Sequence, residues 1–212
     1  MNNQVQQDAL TEFVEFVLAT AQTGLTFSKD RFDIQRFLAL RAAASAMCAQ
    51  RSGEQFDVIE NWINLDTGYA TPKVDVRAVI LNADSHILLV RENGDGRWSL
   101  PGGFCDVGES ASESACREVF EEVGLEVKAH RLLAFFDKHK HPHPPQIPHT
   151  YKVFFHCVIT GGDVKQRTDE TSGAAYFSVL DLPELSLHRV VQSQILTLHH
   201  HVVAGYTHTL FD

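Results

Sequence analysis

The order of strand and helix patterns in this chain predicts a mixed β-sheet held between helices, preceded by a small all-α module over residues 1–66. Three observations carry that expectation. Apolar residues recur at three- and four-residue spacing through the first seventy or so positions. From Lys73 onward the apolar residues alternate in strand fashion, interrupted by one amphipathic acidic helix. The chain then ends in another helical pattern. A length of 212 residues suits one main domain with a small extra module, and 44% hydrophobic with 21% charged residues is a globular composition.

In the module, Leu10, Phe13, Val14, Val17 and Leu18 form one helical stripe, with Gly24 as its expected C-terminal stop. Ser28 or Asp30 caps a second helix that carries Phe32, Ile34, Phe37 and Leu38 and runs through an alanine-rich stretch to about Gln50. A short third helix over Asp57 to Asn64 carries Ile59, Trp62 and Ile63. So small a unit buries too little apolar surface to stand alone. It is expected to lean on the main domain or on a second copy of itself, in a homodimer.

The join, Asp66 to Pro72, is short and turn-rich, and the main domain is placed at residues 67–212. Lys73 to Leu81 alternates, with Val74, Val76, Ala78 and Ile80 on one face. Asn82 to Ser85 turns the chain, and His86 to Arg91 is expected to return as the paired strand. A turn at Asn93-Gly94-Asp95-Gly96 leads to Trp98. Further strands are expected near Val127 to Phe136, Tyr151 to Thr160 and Ala174 to Val179. A final helix from about Leu187 to Val203 carries Val190, Val191, Ile195 and Leu198.

The most informative run lies between Gly103 and Leu125, GFCDVGESASESACREVFEEVGL. A strand through Trp98 breaks at Pro101-Gly102-Gly103, and Ser110 or Ser112 can cap the helix that follows. On that helix Glu118, Glu121 and Glu122 share an arc of about 100°, while Cys116, Val119, Phe120 and Val123 form an expected core face. Glu113 and Arg117, and Arg117 and Glu121, are spaced to pair. Three acids on one face repel each other. A hard cation such as Mg²⁺, which takes oxygen ligands and keeps positions open for phosphates, relieves that repulsion. The Gly102 carbonyl is close enough in sequence to reach such a metal.

Gly103, Glu109, Arg117, Glu118, Val119, Glu121, Glu122, Gly124 and Leu125 resemble, position for position, the signature of the Nudix hydrolases. Ala21 to Leu25, Thr71 to Arg77, Tyr151 to Phe155 and the stretch from Glu170-Thr171 to Leu182-Pro183-Glu184-Leu185-Ser186 resemble the subgroup with an N-terminal helical module, hydrolases of X-linked nucleoside diphosphates. The resemblance implies an α/β/α sandwich. It also implies Mg-dependent hydrolysis of the phosphoanhydride of a CDP-choline- or ADP-ribose-class substrate, releasing a nucleoside monophosphate and a phosphorylated X, with Mn²⁺ as a substitute. A nucleotide-pool or RNA-end hydrolase is one alternative, and an ADP-ribose-sensing regulator another.

By the same resemblance, Glu118 and Glu122 take the principal metal positions, and Glu121 binds a second ion or activates water. Gly102 adds its carbonyl, Glu109 and Arg117 orient the carboxylates, and Gly103 and Gly124 are structural. Several relatives use a later acidic residue as base. Glu170, in the polar loop before the last strand, is the candidate here; a solvated loop charge is the alternative. Arg77 and Arg91 are candidates to grip phosphate, or are surface or salt-bridge residues. Tyr151 and Lys152 are placed to meet the nucleoside or the leaving group, and Trp98 either stacks on a base or lies in the core.

The net charge of −9, from 18 basic and 27 acidic residues, disfavours broad attraction to nucleic acid or anionic membranes without excluding short RNA. A small anionic substrate is compatible, since a bound divalent ion inverts the local field. Cys48, Cys105, Cys116 and Cys157 lack metal or disulfide spacing and read as reduced thiols, with Cys105 a structural filler. With no leader-like start and no membrane-length apolar run, the cytoplasm is expected. The histidine- and proline-rich loop from Asp137 to His149 reads as a substrate-facing lid or subunit contact in preference to a zinc site, and His199-His200-His201 as surface.

Overall fold

The computed structural model describes residues 2–52, 55–64, 66–144 and 146–212. The chain forms two compact units, Met1–Pro72 with Pro145–His149, and Lys73–Pro144 with Thr150–Asp212.

The first unit holds α1 (Asn2–Phe27), α2 (Arg31–Ser52) and α3 (Phe56–Asn64). Val14 and Leu18 of α1 and Ala44 of α2 are buried together, with Val17, Cys48, Ile63 and Ile147 packed around them. Asp30 caps α2 by accepting from the Phe32 and Asp33 amides at 2.9 and 3.1 Å. Gly24 does not stop α1, which continues to Phe27. A Cβ at Gly24 would lie 2.4 Å from the Phe37 ring, so this glycine admits an aromatic side chain between helices and leaves the helix unbroken. Phe13, Phe32 and Leu38, expected in apolar stripes, are exposed. The Trp62 side chain and Pro145 lie outside the described residues.

The second unit holds β1 (Lys73–Val79), β2 (Ile87–Glu92), β3 (Trp98–Ser99), α4 (Ala111–Val123), β4 (Leu125–Asp137), β5 (Thr150–Gly162), β6 (Thr171–Phe177), α5 (Gln192–Val203) and β7 (Leu210–Phe211). One sheet runs β1-β5-β4-β7, with β1·β5 and β4·β7 parallel and β4·β5 antiparallel. The other runs β3-β2-β6. The layers are readable from the side chains. Val79, Ala134, Phe136 and Phe154 pack with Ile195 and Leu198 of α5, while Ala78, Ile80 and Cys157 pack with Val119 and Val123 of α4. Helices therefore cover both faces of a mixed sheet.

The expected β1–β2 hairpin forms only around its turn, where the Asn82 amide donates to the His86 carbonyl at 3.0 Å and the Leu88 amide to the Ile80 carbonyl at 2.9 Å. β1 pairs with β5 on one edge, Asp75 opposite Lys152, and its other edge is occupied by the glycine-rich segment after β3. The Val76 amide donates to the Gly103 carbonyl and the Ala78 amide to the Pro101 carbonyl, both at 2.8 Å; the Cys105 amide donates to the Val74 carbonyl at 3.0 Å. With both edges taken, β1 meets β2 only beyond its end, through the Leu81–Ile87 bridge. α5 starts later than expected, with Val190 and Val191 buried just before it. His201 is buried as well, correcting the surface reading: it lies three residues after Leu198 on the helix's buried face.

Candidate active site

Local chemistry fixes the acidic helix. Ser110 accepts from the Glu113 amide at 3.3 Å while Glu113 accepts from the Ser110 amide at 2.8 Å, a reciprocal cap that engages Glu113 there and not on Arg117. At the other end Gly124 adopts φ 79° and donates to the Phe120 carbonyl at 2.8 Å. The buried stripe is Ala115, Val119 and Val123, with Glu118 and Glu122 buried beside it. Phe120, expected in that stripe, is 51% exposed.

Glu122 accepts from the Gly102 amide at 2.8 Å. Burial pushes its carboxyl up to about 8; nearby Glu92 and Glu118 add to the shift, opposed by Arg77 and the Gly102 amide. Burial also raises the Glu118 carboxyl, against the neighbouring Arg117. Gly102 has φ 140°, and a Cβ there would fall 2.0 Å from the Val76 carbonyl oxygen, so no other residue fits. Its amide serves Glu122, and the carbonyls on either side of it serve β1. A Cβ on Gly103 would lie 2.9 Å from the Glu118 carboxylate, and its absence makes room for that group.

Arg117 organises the rim. Its Nε donates to both Glu109 oxygens at 3.0 Å, and its Nη1 donates to Glu118 at 2.9 Å and Glu121 at 2.8 Å. Ser114 donates to Glu109 at 2.7 Å, and that bond together with Arg117 holds the Glu109 carboxyl below its ordinary range. Glu121 stands exposed at the edge, tied to this guanidinium.

The third carboxylate comes from far along the chain. One oxygen each of Glu118, Glu122 and Glu170 lie within 4.8 Å of one another, two on buried residues and one on an exposed residue. An all-oxygen set that includes two buried carboxylates suits a hard divalent cation, which Glu118 and Glu122 would hold with Glu170 alongside.

The remaining candidates fall in different places. Arg77 is buried, bonded to Asp75 through Nε at 3.0 Å and Nη2 at 2.9 Å, and donates to the Leu100 carbonyl at 3.0 Å. Lys152 is 1% exposed and pairs with the other oxygen of Asp75. Both therefore lie inside the fold in a charge chain, and neither is presented to solvent. Arg91 is exposed and donates to the Gly96 carbonyl at 2.8 Å. Tyr151 is half-buried with its ring 5.2 Å from that of Phe135. Trp98 packs edge-on to Phe177 at 4.8 Å as part of the core. Cys105 packs beside Val76, Ala115 and Val153. In the histidine-rich loop, His141 bonds Asp212 at 3.1 Å and His143 bonds the Leu187 carbonyl at 2.7 Å.

Sequence reasoning missed Asp75, Glu92 and Arg189. Glu92 is buried, accepts from the Ser99 hydroxyl at 2.5 Å, and pairs with Arg189 at 3.1 Å. A usable signal existed in Asp75 and Arg77, two apart on a strand otherwise apolar from Val74 to Val79 and thus on one face. Two opposite charges so placed announce a buried pair.

Residues 71–198 match the NUDIX domain family, and residues 8–63 match the family described as a UDP-X-like, N-terminal oligomerisation domain. YjhB of Bacillus subtilis (strain 168), provisionally named an ADP-ribose pyrophosphatase, is 41% identical over 201 residues, covering 95% of this chain and 96% of that protein. The crystal structure of a UDP-X diphosphatase superposes with a TM-score of 0.63 at 34% identity, covering 97% of this chain and 99% of the other. NAD-capped RNA hydrolase NudC of Pseudomonas entomophila (strain L48) is 33% identical over 123 residues, 57% of this chain and 42% of its own length. With a family match over residues 71–198 of 212 and every signature residue in place on and around α4, the chain belongs to the Nudix hydrolases.

Proposed function

We propose that the chain hydrolyses the phosphoanhydride of a nucleoside diphosphate linked to a second moiety, with ADP-ribose the first substrate to test and CDP-choline the second. The observation that carries this reading is the convergence of Glu118, Glu122 and Glu170 within 4.8 Å. Similarity to YjhB and to a UDP-X diphosphatase supports the substrate class. A divalent cation, Mg²⁺ or Mn²⁺, would be held by Glu118 and Glu122, where it would neutralise diphosphate charge and polarise the phosphoryl oxygen.

The chain's own groups supply positioning. The Gly102 amide fixes one oxygen of Glu122, and Arg117 fixes one oxygen of Glu118. Glu170, the exposed member, takes the proton of the attacking water. The new bond joins water oxygen to one phosphorus, and the bridging P–O bond breaks. The bridging oxygen departs on the second phosphate, giving a nucleoside monophosphate and a phosphorylated X.

The N-terminal unit is proposed to join two copies in a homodimer. Phe13, Phe16, Phe27 and Phe32 stand exposed on it, and it matches an oligomerisation domain. No helix among the described residues is long and apolar enough to cross a membrane.

The test is a chromatographic screen for released nucleoside monophosphate over ADP-ribose, UDP-glucose, CDP-choline, nucleoside triphosphates and NAD-capped RNA, with and without Mg²⁺. Metal-dependent release from ADP-ribose or CDP-choline supports the proposal. Activity confined to capped RNA favours the RNA-end reading, which the net charge of −9 opposes.

A further inference from the structure

Glu170 is exposed and lies in a loop, two features that ordinarily leave a carboxylate free to swing. Here the surrounding backbone is tied at several points. The Thr171 hydroxyl, fully buried, donates to the Glu122 carbonyl at 2.8 Å. Thr168 Oγ1 accepts from the Glu170 amide at 3.3 Å and the Thr171 amide at 3.2 Å, and the Thr168 amide donates to the Thr171 carbonyl at 2.9 Å. From the turn after β2, the Asn93 side chain donates to the Asp169 carbonyl at 2.8 Å and the Asn93 amide to the Glu170 carbonyl at 3.3 Å. Earlier in the same loop the Lys165 amide donates to the Val123 carbonyl at 2.7 Å.

The carbonyls of Glu122 and Val123 belong to the last turn of α4, where no residue further along the helix can satisfy them. The loop satisfies both. Glu170 is therefore attached to the C-terminal end of the same helix that carries Glu118 and Glu122. Fixing a residue's backbone costs conformational entropy, and a loop tied in advance has met that cost before substrate arrives.

We propose that Thr171 is a positioning residue: by capping the Glu122 carbonyl it sets the Glu170 carboxylate against Glu118 and Glu122, so that the third acid is preformed in the free enzyme. The inference rests on the reading of Glu170 given above. Thr171→Val keeps the volume and removes the donor. It is expected to lower kcat about tenfold or more with KM little changed, since misplacement of a catalytic group by about 1 Å can cost roughly a hundredfold. Thr171→Ser, which restores the hydroxyl, recovers most of the loss. Combining Thr171→Val with Glu170→Gln costs no more than Glu170→Gln alone, because both act through one group.

Losses that add in the double variant, or a serine variant as slow as the valine one, would overturn the positioning role. So would a Thr171→Val enzyme with wild-type kcat. Thermal unfolding of each variant separates a general loss of fold, which lowers Tm and also adds to Glu170→Gln. If Glu170→Gln alone is fully active, the earlier assignment of Glu170 fails and takes this inference with it. If Glu170→Gln is slow and Thr171→Val is not, only the inference fails.

Discussion

The two units differ in the charge they bury, while large apolar side chains stand exposed on both. In the sheet unit Asp75, Arg77, Glu92, Glu118, Glu122 and Lys152 are all buried. In the helical unit the interior is small and aliphatic, with Val14, Leu18, Ala21 and Ala44 inside, while Phe13, Phe16, Phe27 and Phe32 stand outside. Burying an ion costs several kcal/mol unless it is well paired. Leaving a large apolar side chain in water forgoes about 1.5–3 kcal/mol. Neither arrangement favours the stability of an isolated chain. The first is the mark of a site that manipulates charge, and the second of a surface made to be covered.

The sharpest way to break this contrast is Glu122→Gln. Turnover should fall by about a thousandfold or more, as expected when an electrostatic element of phosphoryl transfer is removed. The fold should persist, because an unfavourable buried carboxylate becomes a neutral amide. Near-normal turnover in a circular-dichroism-verified variant would show that the buried charge is not chemical.

The same residue sets a pH dependence in metal-free protein. The folded carboxyl holds its proton up to about 8, whereas the ordinary value is 4.5. Between those values the folded state binds more protons than the unfolded one, so this contribution is complete below about 4.5 and is lost as pH rises toward 8. Urea titrations across that window should show declining stability that flattens in Glu122→Gln. Adding Mg²⁺ should restore wild-type stability at the upper end.

Gly102→Ala tests how the site is supported. The new Cβ meets the Val76 carbonyl oxygen at 2.0 Å and forces φ 140° on an alanine, so a loss of about 2–4 kcal/mol is expected in denaturant midpoints. For the helical unit, Phe16→Ser with Phe27→Ser removes two rings that are 69% and 65% exposed. Sedimentation velocity should show the proposed dimer weakened at least tenfold, by roughly 1.4 kcal/mol, with hydrolysis retained per chain. An unchanged association state would leave those rings without a role in assembly.

Much of the site was legible because the chemistry is local. Helical pitch alone puts Glu118 and Glu122 on one side, and the Ser110–Glu113 cap and the Gly124 stop are written in adjacent residues. What was not legible depends on pairing over distance. The Asp75–Lys152 contact needs the β1–β5 register, which no local pattern specifies. Burial of Arg77 follows from that same pairing. The expected hairpin stays confined to its turn because the segment from Pro101 to Cys105 holds the β1 edge that β2 would have taken. Gly24 misled because an isolated glycine in a helix can serve packing as well as termination. Glu170 was legible as a polar loop acid, and its attachment to α4 through Thr171 was not.

The most direct test is a crystal of the Glu170→Gln variant and one of the native chain, each soaked with Mn²⁺ and a non-hydrolysable ADP-ribose analogue and measured at the manganese edge. Native crystals should show anomalous density between Glu118 and Glu122, with the analogue's diphosphate against it and the Glu170 carboxylate alongside. Glu170→Gln should keep that density. Manganese bound elsewhere, or a diphosphate seated away from these glutamates, would contradict the account.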